Sequence, residues 1–249
     1  MQIKILAIGN SFSQDAVRYL KDLAGSVGTE LHVVNLYIGG CSLAEHAKNI
    51  AEDAPAYDYE QNGGTASKKV SIREALNEDS WDIVTIQQAS LDSGRPESYE
   101  PWGTRLLECI RKYAPQAACY FHMTWAYEHG SDHHGFTHYQ KSQEVMYQSI
   151  LSAVQKFTTT HGLPVIPSGT VIQALRQLPE FNYAHGGLSL CRDGFHMSLD
   201  YGRFALAAVW VETLLKKSVL NASFAPENTD SALLTKILQT VHQCCTQER

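Results

Sequence analysis

Short apolar runs alternate with longer amphipathic stretches along the chain. Ile3-Lys4-Ile5-Leu6-Ala7-Ile8 has the pattern of a buried strand and ends at Gly9-Asn10. Behind it Ala16, Tyr19, Leu20 and Leu23 recur at helical spacing, with Ser13 or Asp15 available as N-cap. Leu31 to Tyr37 reads as a second strand closed by Gly39-Gly40, and a helical pattern follows from Leu43 to about Ala54. Tyr57, Tyr59, the turn Asn62-Gly63-Gly64 and Val70 predict a small hairpin inserted at the sheet edge, near residues 57–70. A short helix near Ile72 to Leu76 leads into a third strand, Asp82 to Ile86. A helix around Thr104 to Tyr113 precedes a fourth, Cys119 to Met123. A long helical stretch, Tyr139 to Thr160, precedes a fifth, Leu163 to Ile166. Helices from about Leu199 to Leu215 and from about Ser231 to Cys244 close the chain.

Strand–helix alternation of this kind implies a parallel sheet covered by helices on both faces. The expected architecture is a flavodoxin-like three-layer αβα sandwich with a five-stranded parallel sheet, as a single domain over residues 1–249. Ligands in such sheets bind outside the carboxyl ends of the strands, so candidate chemistry is sought there.

Composition narrows the partners. The 249 residues are 44% hydrophobic, and 20 Lys and Arg against 26 Asp and Glu leave a formal net charge of −6. A mild acidic excess argues against a general binder of phosphate backbones, so nucleic acid is not an expected partner. No apolar run is long enough to span a membrane. Met1-Gln2-Ile3-Lys4 enters a strand directly, so a cytoplasmic protein is expected from the chain as written. The six cysteines, at 41, 109, 119, 191, 244 and 245, lack CxxC spacing and are expected to be free thiols.

Four segments fall at the carboxyl edge. Ser11, in Ile8-Gly9-Asn10-Ser11-Phe12-Ser13, follows the first strand at a helix N-terminus, where developing negative charge is favoured. Asp193-Gly194-Phe195-His196 places a carboxylate and an imidazole three residues apart before a helix. A weak hydroxyl nucleophile needs a base, and the base needs a group to orient it; the chain supplies all three from opposite ends.

On these residues the sequence resembles the SGNH (GDSL-like) hydrolases, over residues 3 to about 205. Gly9-Asn10-Ser11-Phe12-Ser13 looks like the G-N-S-F-[ST] first block of a poorly characterised, largely bacterial branch, and Asp193-x-x-His196 like the D-x-x-H last block. Asn35 to Leu43 is similar to that branch's second block, which implies that the Gly40 backbone N–H donates to an oxyanion. The third block departs from the superfamily pattern. Ile86-Gln87-Gln88-Ala89-Ser90 replaces G-x-N-D, so the side-chain oxyanion donor is expected to be Gln87 or Gln88. The resemblance implies a serine esterase acting on a small ester, an O-acetyl group on a carbohydrate among the candidates, with no metal or organic cofactor. An acyltransferase would use the same residues, and loss of the third-block Asn would also suit an inactive scaffold.

The fourth segment runs from Met123 through Trp125, Tyr127 and His129 to His138. Trp125 and Tyr127 are expected to wall the substrate pocket, and the histidine-rich stretch after them to form a solvated, mobile lid rather than a metal site. From a different class comes a phosphate- or FMN-binding module, which the fold permits but which has no use for Asp193 and His196.

Overall fold

The computed structural model describes residues 2–247. Strands β1 (Ile3–Gly9), β2 (Leu31–Tyr37), β5 (Ile83–Ile86), β6 (Ala118–His122) and β7 (Val165–Ile166) run parallel, in the order β2-β1-β5-β6-β7. Ile5 of β1 lies between Val33 and Ile83, so the first strand of the sequence is central and buried from both sides. Its near-continuous apolar run follows from that position.

The sheet has seven strands rather than five. The predicted hairpin, β3 (Tyr57–Gln61) and β4 (Ala66–Val70), pairs antiparallel with β2 and continues the sheet, Val34 facing Gln61 and Tyr37 facing Asp58. Without it, β2 would present an open edge of unpaired backbone groups. Buried Glu60 on β3 accepts from Asn35 Nδ2 (2.9 Å) and Gln14 Nε2 (2.6 Å), tying the hairpin to the elements around Ser11.

One helical layer contains α1 (Ser11–Val17), α2 (Leu20–Ser26), α7 (Ser168–Leu175), α8 (Tyr201–Leu215) and α9 (Ser231–Gln247). The other contains α3 (Leu43–Glu52), α4 (Ile72–Glu78) and α5 (Trp102–Tyr113). Helix α6 (Gln143–His161) joins this second layer through Phe157, which packs on Tyr99 and Phe121. No helix among the described residues is long and apolar enough to cross a membrane.

Three local expectations change. The first helix is two, broken at Arg18-Tyr19, and its N-cap is Asn10 rather than Ser13 or Asp15. Asn10 Oδ1 accepts from Phe12 N–H at 3.0 Å, while Ser13 closes the reciprocal bond to Asn10 N–H. Helix α7 was not anticipated. Its Val171, Ile172 and Leu175 are buried, but Pro167 and Gly169 at its start read as loop. The fifth strand shrinks to two residues, because Pro164 and Pro167 bracket it.

Candidate active site

Ser11 opens α1 directly behind β1, the strand at which the order of the parallel sheet reverses. Such a tight strand-to-helix turn needs Gly9. A Cβ there would lie 2.4 Å from Ser13 Oγ and 3.0 Å from the Gln87 side chain. At the other end of the chain, Cys191 and Met197 form an antiparallel bridge that closes the loop carrying Asp193 and His196. Gly194 sits at its tip with φ +83°, a conformation that side-chain-bearing residues rarely adopt.

The fold brings the three residues into contact. Asp193 Oδ2 lies 2.7 Å from His196 Nδ1, and His196 Nε2 lies 2.8 Å from Ser11 Oγ. A carboxylate only accepts, so Nδ1 carries the proton and Nε2 is left to accept from the serine hydroxyl. Asp193 Oδ1 accepts from the backbone N–H groups of His196 (2.7 Å) and Phe195 (3.2 Å). Partial burial pushes the Asp193 carboxyl up. The hydrogen bonds from the His196 ring and from the two backbone amides outweigh this and hold it below the usual carboxylate range. The pair is accessible, with side-chain exposures of 39% for Asp193 and 21% for His196.

Asp15 joins the two halves of the site. It lies four residues after Ser11, on the same face of α1, and is fully buried. Its carboxylate accepts from Arg192 Nη1 (3.0 Å), Arg203 Nε (2.8 Å) and Met197 N–H (2.9 Å). Arg192 and Met197 flank the Asp193–His196 turn, so one buried carboxylate grips both stems of the loop. Trp125 is a second brace. It stacks on Phe12 with ring centroids 4.2 Å apart, and its Nε1 donates to Phe195 O at 2.7 Å.

Gln87 and Gln88 lie elsewhere than expected. Phe12 N–H donates to Asn10 Oδ1, so Gln87 Nε2 must also donate to that oxygen (2.8 Å). This turns Gln87 Oε1 toward His122, whose Nδ1 donates to it at 2.9 Å. His122 Nε2 then accepts from Ser168 Oγ at 3.0 Å. Burial lowers the His122 pKa to about 3, which keeps the ring neutral. At the other end, Asn10 Nδ2 donates to Cys41 O at 3.0 Å and holds the turn that follows β2. Gln88 Oε1 accepts from Leu43 and Ala89 N–H, and its Nε2 donates to Ser98. Both glutamines are 1% exposed and hold buried partners, Gln88 through its oxygen and Nε2 and Gln87 through its oxygen and one N–H, which counts against the expectation that either is an oxyanion donor. Turning Gln87 outward would strip Asn10 and His122 of partners inside the core.

Trp125 and Tyr127 are each 0% exposed and offer no surface to a substrate. They support the site from beneath: Tyr127 Oη pairs with Ser90 Oγ at 2.8 Å, and its ring meets Phe195 edge-on. The histidine-rich segment is solvated in part, with His129, His134 and His138 exposed, but it is anchored by packing. Residues 134–139 form a 3₁₀ turn with Phe136 buried, and the His133 ring lies 4.6 Å from Phe195. Burial, then the neighbouring His134 and His196, lower the His133 pKa. Among the described residues no group of three or more His, Cys, Asp or Glu is arranged to hold a metal. Gly40 lies exposed in the turn after β2.

Sequence reasoning missed Asn10, Asp15, His122, Arg192 and Arg203. Asp15 carried a usable signal: a carboxylate one helical turn after Ser11, among residues that otherwise face the core. The arginines carried none, since their partner lies at the far end of the chain.

Among curated proteins none matches the chain. Solved structures do. A crystal structure of a DUF4886 family protein from Bacteroides uniformis ATCC 8492 superposes with a TM-score of 0.92 at 36% identity, covering 100% of this chain and 96% of that one. An acetylxylan esterase from Geobacillus stearothermophilus, solved as a catalytic mutant, gives 0.54 at 15% identity, with 85% and 94% covered. A member of the lipolytic G-D-S-L family from Veillonella parvula DSM 2008 gives 0.52 at 14%, with 86% and 99% covered. At such identity the last two likenesses show a shared fold. The model of the family described as Domain of unknown function (DUF4886) matches residues 4–242, and the chain belongs to that family.

Proposed function

We propose that this protein is a serine ester hydrolase, with Ser11 as nucleophile, His196 as general base and Asp193 as the group that orients it. The observation that carries the reading is the continuous contact Asp193–His196–Ser11, at 2.7 and 2.8 Å. Hydrogen bonds of this length are those of a poised triad.

Ser11 Oγ attacks the ester carbonyl as His196 Nε2 takes its proton. The tetrahedral intermediate collapses, and the leaving alkoxide departs as the alcohol with that proton. Water then adds to the acyl-enzyme, again giving its proton to His196, which returns it to Ser11 as the acid leaves. The oxyanion is held by two backbone donors, Ser11 N–H and Gly40 N–H. As the first residue of α1, Ser11 has an N–H without an intrahelical acceptor. Asp193 stays ionised and stabilises the imidazolium. The substrate class we favour is a small O-acyl ester such as an O-acetyl group on a carbohydrate; the likeness to an acetylxylan esterase supports it.

Hydrolysis of p-nitrophenyl acetate tests the reading. The wild-type protein is expected to turn over, and Ser11→Ala to lose roughly 10⁴-fold or more in kcat. Equal rates in the two proteins would overturn it.

A further inference from the structure

Beside the catalytic loop, at the same sheet edge, lies a polar cleft of about 230 Å³. It is formed by Glu128 in the segment after β6, by the start of α6, by the end of α7 and by residues 182–185. Its walls are ordered by their own hydrogen bonds. Gln143 Nε2 donates to Gln173 Oε1 at 3.1 Å, and Gln173 Nε2 donates to Glu144 Oε2 at 3.2 Å. Two charged side chains in its lining are almost wholly buried, Glu128 at 3% exposure and Arg176 at 4%. Glu128 Oε1 and Arg176 Nε have no hydrogen-bond partner, although the rest of each group is engaged. At the rim stands Tyr183, 51% exposed and the one aromatic among the large hydrophobics that the described residues present to solvent.

The cleft backs onto the triad. Glu128 N–H donates to Gly194 O at 2.8 Å, in the turn between Asp193 and His196. Arg176 Nη2 contacts Cys191 Sγ at 3.4 Å, at the base of the same loop.

We propose that this cleft is a subsite for one ring of a neutral carbohydrate, the part of the substrate remote from the ester. Side-chain amides and mixed charges offer donors and acceptors together, which suits hydroxyl groups that both give and accept. An anion would meet Glu128 and Glu144, and a cation would meet Arg176. An exposed aromatic face at the rim matches the C–H face of a sugar. The volume is below that of a drug-sized pocket, roughly 300–1,000 Å³, and suits a single ring. The inference deepens the esterase reading by naming the recognised group, but binding at the cleft requires no catalysis.

The test therefore uses the Ser11→Ala protein, titrated calorimetrically with xylotetraose, cellotetraose and maltotetraose. At least one is expected to bind saturably, and Tyr183→Ala and Gln173→Ala are each expected to weaken it about tenfold, the scale of one lost contact. Tyr183 is exposed, so its variant keeps the wild-type melting temperature. The subsite is overturned if none of the three binds, if binding is indifferent to both substitutions, or if sulfate competes for the cleft and marks it as an anion site. Labelling of Ser11 in the wild-type protein with a fluorophosphonate separates the two proposals. Labelling without sugar binding removes the subsite alone, and sugar binding without labelling removes the esterase alone.

Discussion

The two halves of the site are held in opposite ways. The Ser11 turn grows out of the central strand, and its partners Asn10, Gln87, His122 and Ser168 are buried in one directed chain of hydrogen bonds. The Asp193–His196 turn is an exposed loop without regular structure, gripped mainly by Asp15 and braced by Trp125. A nucleophile can be fixed by the core because it needs little freedom. The base must exchange protons with substrate and water, so it stands where they reach it and is steadied from behind.

The comparison breaks most visibly at the exposed half. Asp193→Asn leaves the fold intact but removes the acceptor that fixes the His196 tautomer, and kcat is expected to fall about 10³–10⁴-fold in a p-nitrophenyl ester assay. A loss below tenfold would mean that the loop positions His196 without its carboxylate. Asp15→Ala comes next. It leaves Arg192 and Arg203 facing a buried vacancy and should cost about 3 kcal/mol in urea denaturation. Asp15→Asn should recover part of that loss, and kcat should fall more than KM changes, because the loop rather than the substrate is released.

Acid separates the halves by pH window. Burial lowers the pKa of His122, and likewise of His46, to about 3 from an ordinary 6.5. Both rings are neutral in the folded protein and protonate on unfolding, so stability is full above pH 6.5 and falls as the pH drops toward 3. At pH 5 each ring should cost about 2 kcal/mol. The depressed pKa of Asp193 stabilises the fold above the ordinary carboxylate value and is lost only below it. Thermal melts should therefore weaken from about pH 6 downward, before the Asp193 carboxylate is touched. The smallest effect is expected of Gln87→Ala, which leaves Asn10 Oδ1 with Phe12 N–H alone and orphans His122 Nδ1, at about 1–2 kcal/mol. Its kcat should fall modestly, because Asn10 still caps α1.

The same contrast explains what could be read from sequence. Ser11, Asp193 and His196 could be singled out as candidates because strand-end turns and a three-residue spacing are local signals, and the fold brings the three into contact. The parallel sheet was legible from apolar runs such as Ile3–Ile8, and the hairpin from Asn62-Gly63-Gly64. The hairpin's attachment to β2 was not, since edge pairing is decided by which strand lacks a partner. The roles of Gln87 and Gln88 depend on the direction of a hydrogen-bond chain that begins at Phe12 N–H, and no spacing encodes direction. Trp125 and Tyr127 were read as a pocket wall because aromatic residues near a site suit either role, and only burial separates them.

The central claim is that Ser11 is an activated nucleophile. Incubation with a fluorophosphonate probe, followed by peptide mapping, tests it most directly. The account predicts one adduct per chain on Ser11, absent in Ser11→Ala and formed far more slowly in His196→Ala. No adduct on Ser11 between about pH 6 and pH 9, or equal labelling without His196, would contradict it.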